Sequence, residues 1–434
     1  MARHAETLRP LLAPGPCSAR QLVEKTGLSQ PTLSRALNSL GEEVVRIGAG
    51  TAIRYALRDS ARGLPPLPIF RVSAAGQIQQ EGTLIPVRPD GFVLQQAGGG
   101  TQHSDGLPWW LFDLRPQGYL GRAWAAVHAA PLGLPANPEH WSDTDVIRAL
   151  LTQGHDAIGN LLLGERAREN FLALPSPAPM TPTSDFPALA RAASAGELPG
   201  SSAGGEQPKF CAYGARGHVL VKFSAPDANP VSERWRDLLL AEHLALALLG
   251  VDSAVFDIAG QRFLEVPRFD RVGELGRIGV VSLRALDAEF VGNAAAPWPT
   301  LVSRLVAAGL VEAEAGDGAA LRWAFGTLIG NTDMHAGNLS FLALPGRRYP
   351  LAPAYDMLPM GFAPSSSGAL GHSLPAAALT ATIPGASWRQ ALDLARRYLE
   401  QLTQDRRFSP GFAPCLSALE RHLSDAATRI ARLG

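Results

Sequence analysis

The stretch "GNTDMHAGN", residues 330–338, sets Asn331, Asp333, His335 and Asn338 between a helix-like apolar run, "LRWAFGTLIG", and a strand-like one, "LSFLAL". An ordinary turn would account for these side chains, because Asn and Asp bond their own backbone. Phosphoryl transfer would account for them too. That chemistry needs a carboxylate to accept the proton of the incoming hydroxyl, and an amide oxygen one loop turn away to hold Mg²⁺ on the phosphates. Asp333 and Asn338 lie five residues apart, which suits those two tasks. "APAYDMLP" then places Asp356 after an apolar, strand-like segment, where a second metal-binding carboxylate is required; hard oxygen ligands of this kind suit Mg²⁺. His335 reads as a hydrogen-bonder that shapes the loop rather than as a catalyst.

The elements that must present the phosphates lie upstream. Lys occurs only at Lys25, Lys209 and Lys222, so the other 36 of the 39 basic residues are Arg. A retained Lys in such a chain hints at a site wanting a compact ammonium; chance is the rival. "HVLVKF" puts Lys222 on a strand, which resembles the strand lysine of protein kinases that grips ATP phosphates. Glu242, twenty residues on in the helical "SERWRDLLLAEHLALALLG", is a partner for that ammonium or else a solvated carboxylate. Before Lys222, "SSAGGEQPKF" offers a phosphate loop over 202–209, with Ser202, Ala203, Gly204, Gly205 and Lys209; small residues let backbone N–H groups approach an anion. "EVPRFDR" follows a further apolar strand, and residues 265–269, with Glu265, Pro267 and Phe269, are the candidate hinge facing adenine. Arg268 and Asp270 read equally well as an exposed ion pair.

A chain of 434 residues with 46% hydrophobic content suits about three domains of ordinary size. Lys+Arg and Asp+Glu are both 39, so no global field argues for nucleic acid or membrane. Three distant cysteines, Cys17, Cys211 and Cys415, argue against a disulfide framework or structural zinc. With no apolar run approaching the roughly 20 residues of a membrane span, the chain reads as cytoplasmic and without a membrane partner.

Residues 1–62 read as a winged helix-turn-helix. "LRPLLAPGP" is a first helix ended by Pro and Gly, and Ser18 and Ser29 are N-cap candidates for two more. Leu33, Ala36, Leu37 and Leu40 form the apolar stripe of the third helix, and "VVRIG" and "TAIRYAL" form a hairpin. Eight Lys/Arg against five Asp/Glu in the first 60 residues leave a local excess of three. On DNA, Gln30, Thr32, Arg35 and Asn38 would face base edges, and Arg46 and Arg54 would touch phosphate. The bland alternative is a protein-interaction module. A β-rich and then helical unit comes next over 63–193, including "LPSPAPMTPTSDFP", residues 174–187, as a linker; residues 194–434 form the core with the nucleotide site.

Together "SSAGGEQPKF", "VLVKF", "EVPRFDR", "NTDMHAGNLSF" and "AYDMLP" resemble the HipA family of bacterial serine/threonine kinases, toxins of type II toxin-antitoxin systems. "LFDLRPQGYLGR" and "GHDAIGNLLL" extend the likeness upstream. The fused N-terminal unit departs from typical members and is similar to the YjjJ-like subgroup, which leaves open whether a separate antitoxin or a homodimer completes the system. The resemblance implies an α+β chain with a two-lobed kinase-like fold and an all-α C-terminal lobe. It also implies Ser202 as the autophosphorylated residue, with neighbouring Ser201 as the alternative. The expected activity is an ATP- and Mg²⁺-dependent protein serine/threonine kinase acting on a Ser/Thr acceptor as a growth-restraining toxin. In that scheme Asp333 is the base, Asn338 and Asp356 hold the metal, and Lys222 holds the nucleotide. Two rivals stand beside it, a small-molecule phosphotransferase and a DNA-binding regulator whose kinase fold only senses nucleotide.

Overall fold

The computed structural model describes residues 2–196 and 206–433. Its first unit runs α1 (Ala2–Leu12), β1 (Cys17–Ser18), α2 (Ala19–Thr26), α3 (Gln30–Ser39), β2 (Val44–Ile47) and β3 (Arg54–Leu57), with an antiparallel sheet in the order β1-β3-β2. Ser18 caps α2 reciprocally with Gln21, satisfying two N–H groups that the helix end leaves open. Leu33, Ala36, Leu37 and Leu40 are all buried and share a core with Leu8, Leu12 and Leu22. α1 starts well before the expected Leu8, because Ala5 extends the same buried stripe, and it carries Pro10 in its last turn.

A five-stranded antiparallel sheet comes second, built from β4 (Leu67–Val72), β5 (Ile78–Val87), β6 (Gly91–Gln96), β7 (Thr101–Ser104) and β8 (Leu161–Leu163) in the order β7-β6-β5-β4-β8. α4 (Gly118–His128), α5 (Asp143–Gln153) and α6 (Gly164–Leu172) accompany it, Trp124, Ile147 and Leu150 packing on Leu67, Ile69 and Phe92. No flexible tether separates this sheet from the first unit. Val45, Ile47 and Ala56 form one buried cluster with Ile85, Val87 and Val93. The Arg88 N–H donates to the Leu57 carbonyl at 2.8 Å, the Asp59 N–H to Pro86 at 2.9 Å, and the Gly48 N–H to Thr101 Oγ1 at 2.6 Å.

The expected linker is only half a linker. Residues 174–181 lack regular structure, but α7 (Pro182–Ser194) begins inside the Pro-rich run. Pro182 stands in the first turn, where its missing N–H costs nothing, and Asp185 accepts from the Thr181 N–H at 2.7 Å. Phe186 then buries itself against Phe210 and Phe263, and that packing outweighs the break at Pro187.

The core opens with β9 (Lys209–Gly214), β10 (Gly217–Phe223), α8 (Pro230–Leu248), β11 (Ala254–Ile258) and β12 (Gln261–Pro267), a sheet in the order β11-β12-β10-β9 with α8 behind it. The short hairpin β13 (Arg271–Val272) and β14 (Gly276–Arg277) leads to β15 (Gly279–Ser282), α9 (Leu283–Phe290), α10 (Trp298–Ala307), α11 (Glu314–Ile329), β16 (Ser340–Ala343), α12 (Gly385–Gln404) and α13 (Ala413–Ile430). This lobe is mostly helical around Trp298, Phe325, Trp388 and Tyr398. It is not all-α, since β15 and β16 pair antiparallel, Ser282 opposite Ser340, next to the loop at 330–338. The strand expected before Asp356 is reduced to isolated bridges, Phe341 to Leu351 and Val311 to Tyr349. Among the described residues no helix is long and apolar enough to cross a membrane.

Candidate active site

A cleft of about 720 Å³ is lined by Lys209, Lys222, Glu242, Asp333, Asn338 and Asp356. The chain brings these together from distant segments, Lys222 and Asp356 meeting across 134 residues. β10 carries Lys222 beside Lys209 of β9, the two directly opposite in register and both buried. Glu242 projects from α8 and is buried, not solvated: its Oε1 accepts from Lys222 Nζ at 2.5 Å, while its Oε2 has no partner among the described residues. Lys222 also donates to Asp356 Oδ1. Burial alone would push the Lys222 ammonium down, but Asp356 and Glu242 together hold it above its ordinary value. Burial likewise works to raise the Asp356 carboxyl, and the two lysines outweigh it and draw it down. Glu242 goes up, because burial there exceeds the pull of Lys222.

Asp356 has φ +52°, a left-handed conformation that Asp tolerates better than most residues. Asn331 fixes it: its Nδ2 donates to the Asp356 carbonyl at 3.1 Å, and its Oδ1 accepts from the Asp333 N–H at 3.0 Å. One buried amide thus couples the two carboxylate-bearing segments. Gly330, with φ +78°, ends α11 just before it, and a Cβ there would strike Leu374. Asn338 Nδ2 donates to the Asp333 carbonyl at 2.8 Å, which turns its Oδ1 the other way. His335 accepts from the Gly337 N–H at 3.0 Å through Nδ1, and its Nε2 stands 4.0 Å from Asp333 Oδ1, so it braces the turn. Tyr355 adds a second brace, donating to the Gly337 carbonyl at 2.8 Å and bonded to Ser340 Oγ at 2.6 Å.

Pro267 and Phe269 line the same cleft, with Leu220, Val266 and Val280 nearby; Glu265 does not. Glu265 sits in mid-sheet between Val221 and Ala254, and its carboxylate takes Arg216 at 3.1 Å, because alternation along β12 turns it away. Arg268 and Asp270 are no exposed pair. Both side chains are buried, Arg268 bonding Asp270 at 2.8 and 2.9 Å. Asp270 also takes Arg271 at 2.5 Å and the Gly159 N–H at 3.0 Å, and Arg271 reaches Asp156 at 3.0 Å. "RFDR" therefore clamps "GHDAIGN" of the preceding unit to the core. Ser202, Ala203, Gly204 and Gly205 lie outside the described residues.

Three residues carry roles that their sequence context does not announce. Asp113 of "LFDLRPQGYLGR" accepts from the Ser282 N–H at 2.6 Å and its Oγ at 2.7 Å, bringing the middle unit to the cleft wall. Arg122 of the same motif meets Glu206, which borders the loop before Lys209, at 2.5 Å. Asn331 reads as a turn residue. The motif shows that its segment matters but not what its charged residues meet, and Asn331 gives no signal beyond its position.

On the first unit, Gln30, Arg35 and Asn38 are exposed along α3, while Thr32 is half-buried with Oγ1 2.9 Å from Ser29 Oγ. Arg46 and Arg54 do not share a face. Arg46 pairs with Tyr55 and Arg54 with Ile47, a one-residue offset that places them on opposite sides of the hairpin. Arg54 is on the side of Ile47, toward the middle sheet.

The donor set suits Mg²⁺: two hard oxygens, from Asp356 and Asn338, leave the remaining positions to phosphate and water, as that ion prefers. A Glu242→Gln variant should keep its fold and lose about 10- to 100-fold in activity, since it removes the charge that shares Lys222 with Asp356. Steady-state kinetics with melting curves will check this.

Residues 64–172 match the model described as "YjjJ-like toxin, middle domain", and residues 201–409 match "HipA-like C-terminal domain". Toxin YjjJ of Escherichia coli (strain K12) is 38% identical over 98% of this chain and 99% of its own length. A chain of the Shewanella oneidensis MR-1 toxin-antitoxin complex of HipA, HipB and operator DNA shares the fold, with TM-score 0.51 and 17% identity over 84% of this chain and 97% of that one. The Helicobacter pylori proinflammatory kinase CtkA aligns over 54% of this chain and 94% of its own at TM-score 0.39, too distant to add to that. The chain belongs to the HipA family of toxins, in its YjjJ-like group.

Proposed function

We propose that this chain is an ATP- and Mg²⁺-dependent protein serine/threonine kinase that acts as a toxin and carries its own winged-helix DNA-binding unit. The observation that carries the reading is Lys222, buried and shared between Glu242 and Asp356, in the cleft that also holds Asp333 and Asn338. A sensor of nucleotide alone has no need of the base. Lys222 grips the nucleotide phosphates, Lys209 stands beside it at the end of the phosphate loop, and Pro267 and Phe269 bound the adenine side. Asp333, exposed and without a strong ion pair, takes the proton of an incoming Ser or Thr hydroxyl. Asn338 Oδ1 and Asp356 hold Mg²⁺, which neutralises charge on the phosphates when bound. Ser202 is the self-phosphorylation site in this scheme. Incubating the protein with labelled ATP and a cell lysate tests the class: label in the protein fraction on Ser/Thr supports a protein kinase, and label in the metabolite fraction alone points to a small-molecule phosphotransferase.

The three helices and β1-β3-β2 sheet support DNA binding through Gln30, Arg35 and Asn38 of α3, with Arg46 on phosphate, and operator autoregulation follows from such binding. Arg35→Ala with Arg46→Ala should weaken binding to the promoter fragment and lower the slope of log affinity against log salt by about 1 for each phosphate that the variant no longer neutralises. A gel-shift titration at several salt concentrations measures both. An unchanged affinity would leave the unit a protein-interaction module, its partner an antitoxin or a second copy.

A further inference from the structure

Among the described residues four cationic side chains line the cleft: Lys209, Lys222, Arg268 and Arg284. Lys222 is shared by Glu242 and Asp356, Arg268 is locked on Asp270, and buried Lys209 has contacts of its own. Arg284 differs. It stands exposed in the first turn of α9 and makes no hydrogen bond or ion pair among the described residues. Asp113 is near enough to feel its charge, but that carboxylate is already taken up by Ser282. The Arg284 guanidinium is beside the catalytic loop, Nη2 lying 3.6 Å from where a Cβ on Gly337 would be. Gly337 falls between Asp333 and Asn338, so this charge stands beside the loop that carries both.

The backbone carrying Arg284 is firmly held. Ser282 caps α9, its Oγ accepting from the Ala285 N–H at 3.1 Å, and Asp113 of the middle unit accepts from both the N–H and the hydroxyl of Ser282. An arginine on a fixed helix start, with no carboxylate bonded to it, facing a loop with a base and a metal-holding amide, is suited to an anionic group whose charge shifts during reaction.

Building on the phosphotransferase reading, we propose that Arg284 binds the equatorial oxygens of the phosphoryl group as it passes from nucleotide to acceptor, an arginine finger supplied in cis. In that step the bond between the γ-phosphorus and the β–γ bridging oxygen breaks, and its electron pair leaves with the nucleoside diphosphate. The acceptor hydroxyl oxygen forms the new bond to phosphorus, and its proton goes to Asp333. Charge spreading over the three equatorial oxygens is met by the guanidinium, which stays protonated throughout. Arg284 would then be a catalytic residue, and Asp113 and Ser282 positioning residues.

The test uses the full chain as wild type, Arg284→Ala and Arg284→Lys, with three measurements: ATP affinity by calorimetry, ATP hydrolysis without any acceptor, and phosphotransfer to protein. The expected result is ATP affinity within about twofold of wild type, while hydrolysis and transfer fall together in Arg284→Ala by about 10³-fold or more. Added guanidinium ion should recover part of the Ala variant's rate, a rescue that a misfolded site would not show. Arg284→Lys should remain well below wild type, because a point charge does not reproduce the planar fork. Reduced transfer with unchanged hydrolysis overturns the proposal and makes Arg284 an acceptor-docking residue. Weakened ATP affinity with full rates at saturation overturns it as well. A wild type that neither hydrolyses nor transfers fails the phosphotransferase reading itself, whereas an active wild type matched by Arg284→Ala fails this inference alone.

Discussion

An Asp333→Asn variant is expected to bind ATP as the parent does, to transfer phosphate about 10²- to 10⁴-fold more slowly and to leave growth unrestrained. In the proposed mechanism the substitution removes only the proton acceptor. The Asp333 N–H still donates to Asn331 Oδ1 and the Asp333 carbonyl still accepts from Asn338 Nδ2, since both contacts are through the backbone. The turn and the Asn338 amide therefore keep their places, and Lys222, Glu242 and Asp356 are untouched. Loss of a positioned general base costs about 10²- to 10⁴-fold in rate. Calorimetry with ATP, a labelled-phosphate assay and growth curves after induction separate the outcomes. Toxicity retained without transfer would mean that the chain restrains growth by binding rather than by chemistry.

Asp270→Asn should be the most damaging change for stability, at about 3–5 kcal/mol, because it leaves Arg268 and Arg271 buried with their shared countercharge gone. The same carboxylate sets an acid limit. Burial would raise the Asp270 carboxyl, but Arg268 and Arg271 hold it far below the usual range, and Asp156 is lowered in the same way chiefly by Arg271. A depressed folded-state value means the stabilisation is complete above the ordinary carboxylate value near 4 and drains away as pH falls below it. Wild type should therefore lose urea resistance steeply between about pH 4 and pH 2.5, and Asp270→Asn, already weakened at pH 7, should lose less over that interval. Urea midpoints at the two pH values for both chains measure this. A wild type as resistant in acid as at neutrality would mean the clamp contributes nothing.

Legibility in the sequence extends to whatever repeats at short range. The stripe of Leu33, Ala36, Leu37 and Leu40, the cap at Ser18, the strand under Lys222 and the helix under Glu242 all follow from local periodicity. The candidate site is legible where chemistry demands a fixed spacing, as between Asp333 and Asn338. The rest depends on contacts between distant segments. Nothing local in "RFDR" says that Asp270 will take the Gly159 N–H, 111 residues away, nor does "LFDLRP" say that Asp113 will hold Ser282, 169 residues on. Glu265 falls off the expected hinge face because a strand's alternation shows in its residues, but not which face its neighbours will cover. Pro182 and Pro187 read as breakers until Phe186 supplies a reason to stay helical.

The seam between the first unit and the middle sheet also bears on how such a gene can change. A new start at residue 63 would strip Val45, Ile47 and Ala56 from Ile85, Val87 and Val93 and free the backbone of Pro86 and Arg88. The remaining chain would present a wet apolar face on a sheet, the kind of surface that draws one copy onto another. Truncation is therefore expected to yield an aggregating remnant rather than a smaller toxin. On this packing the N-terminal unit serves the middle sheet as a cover that keeps it dissolved, apart from any task of its own.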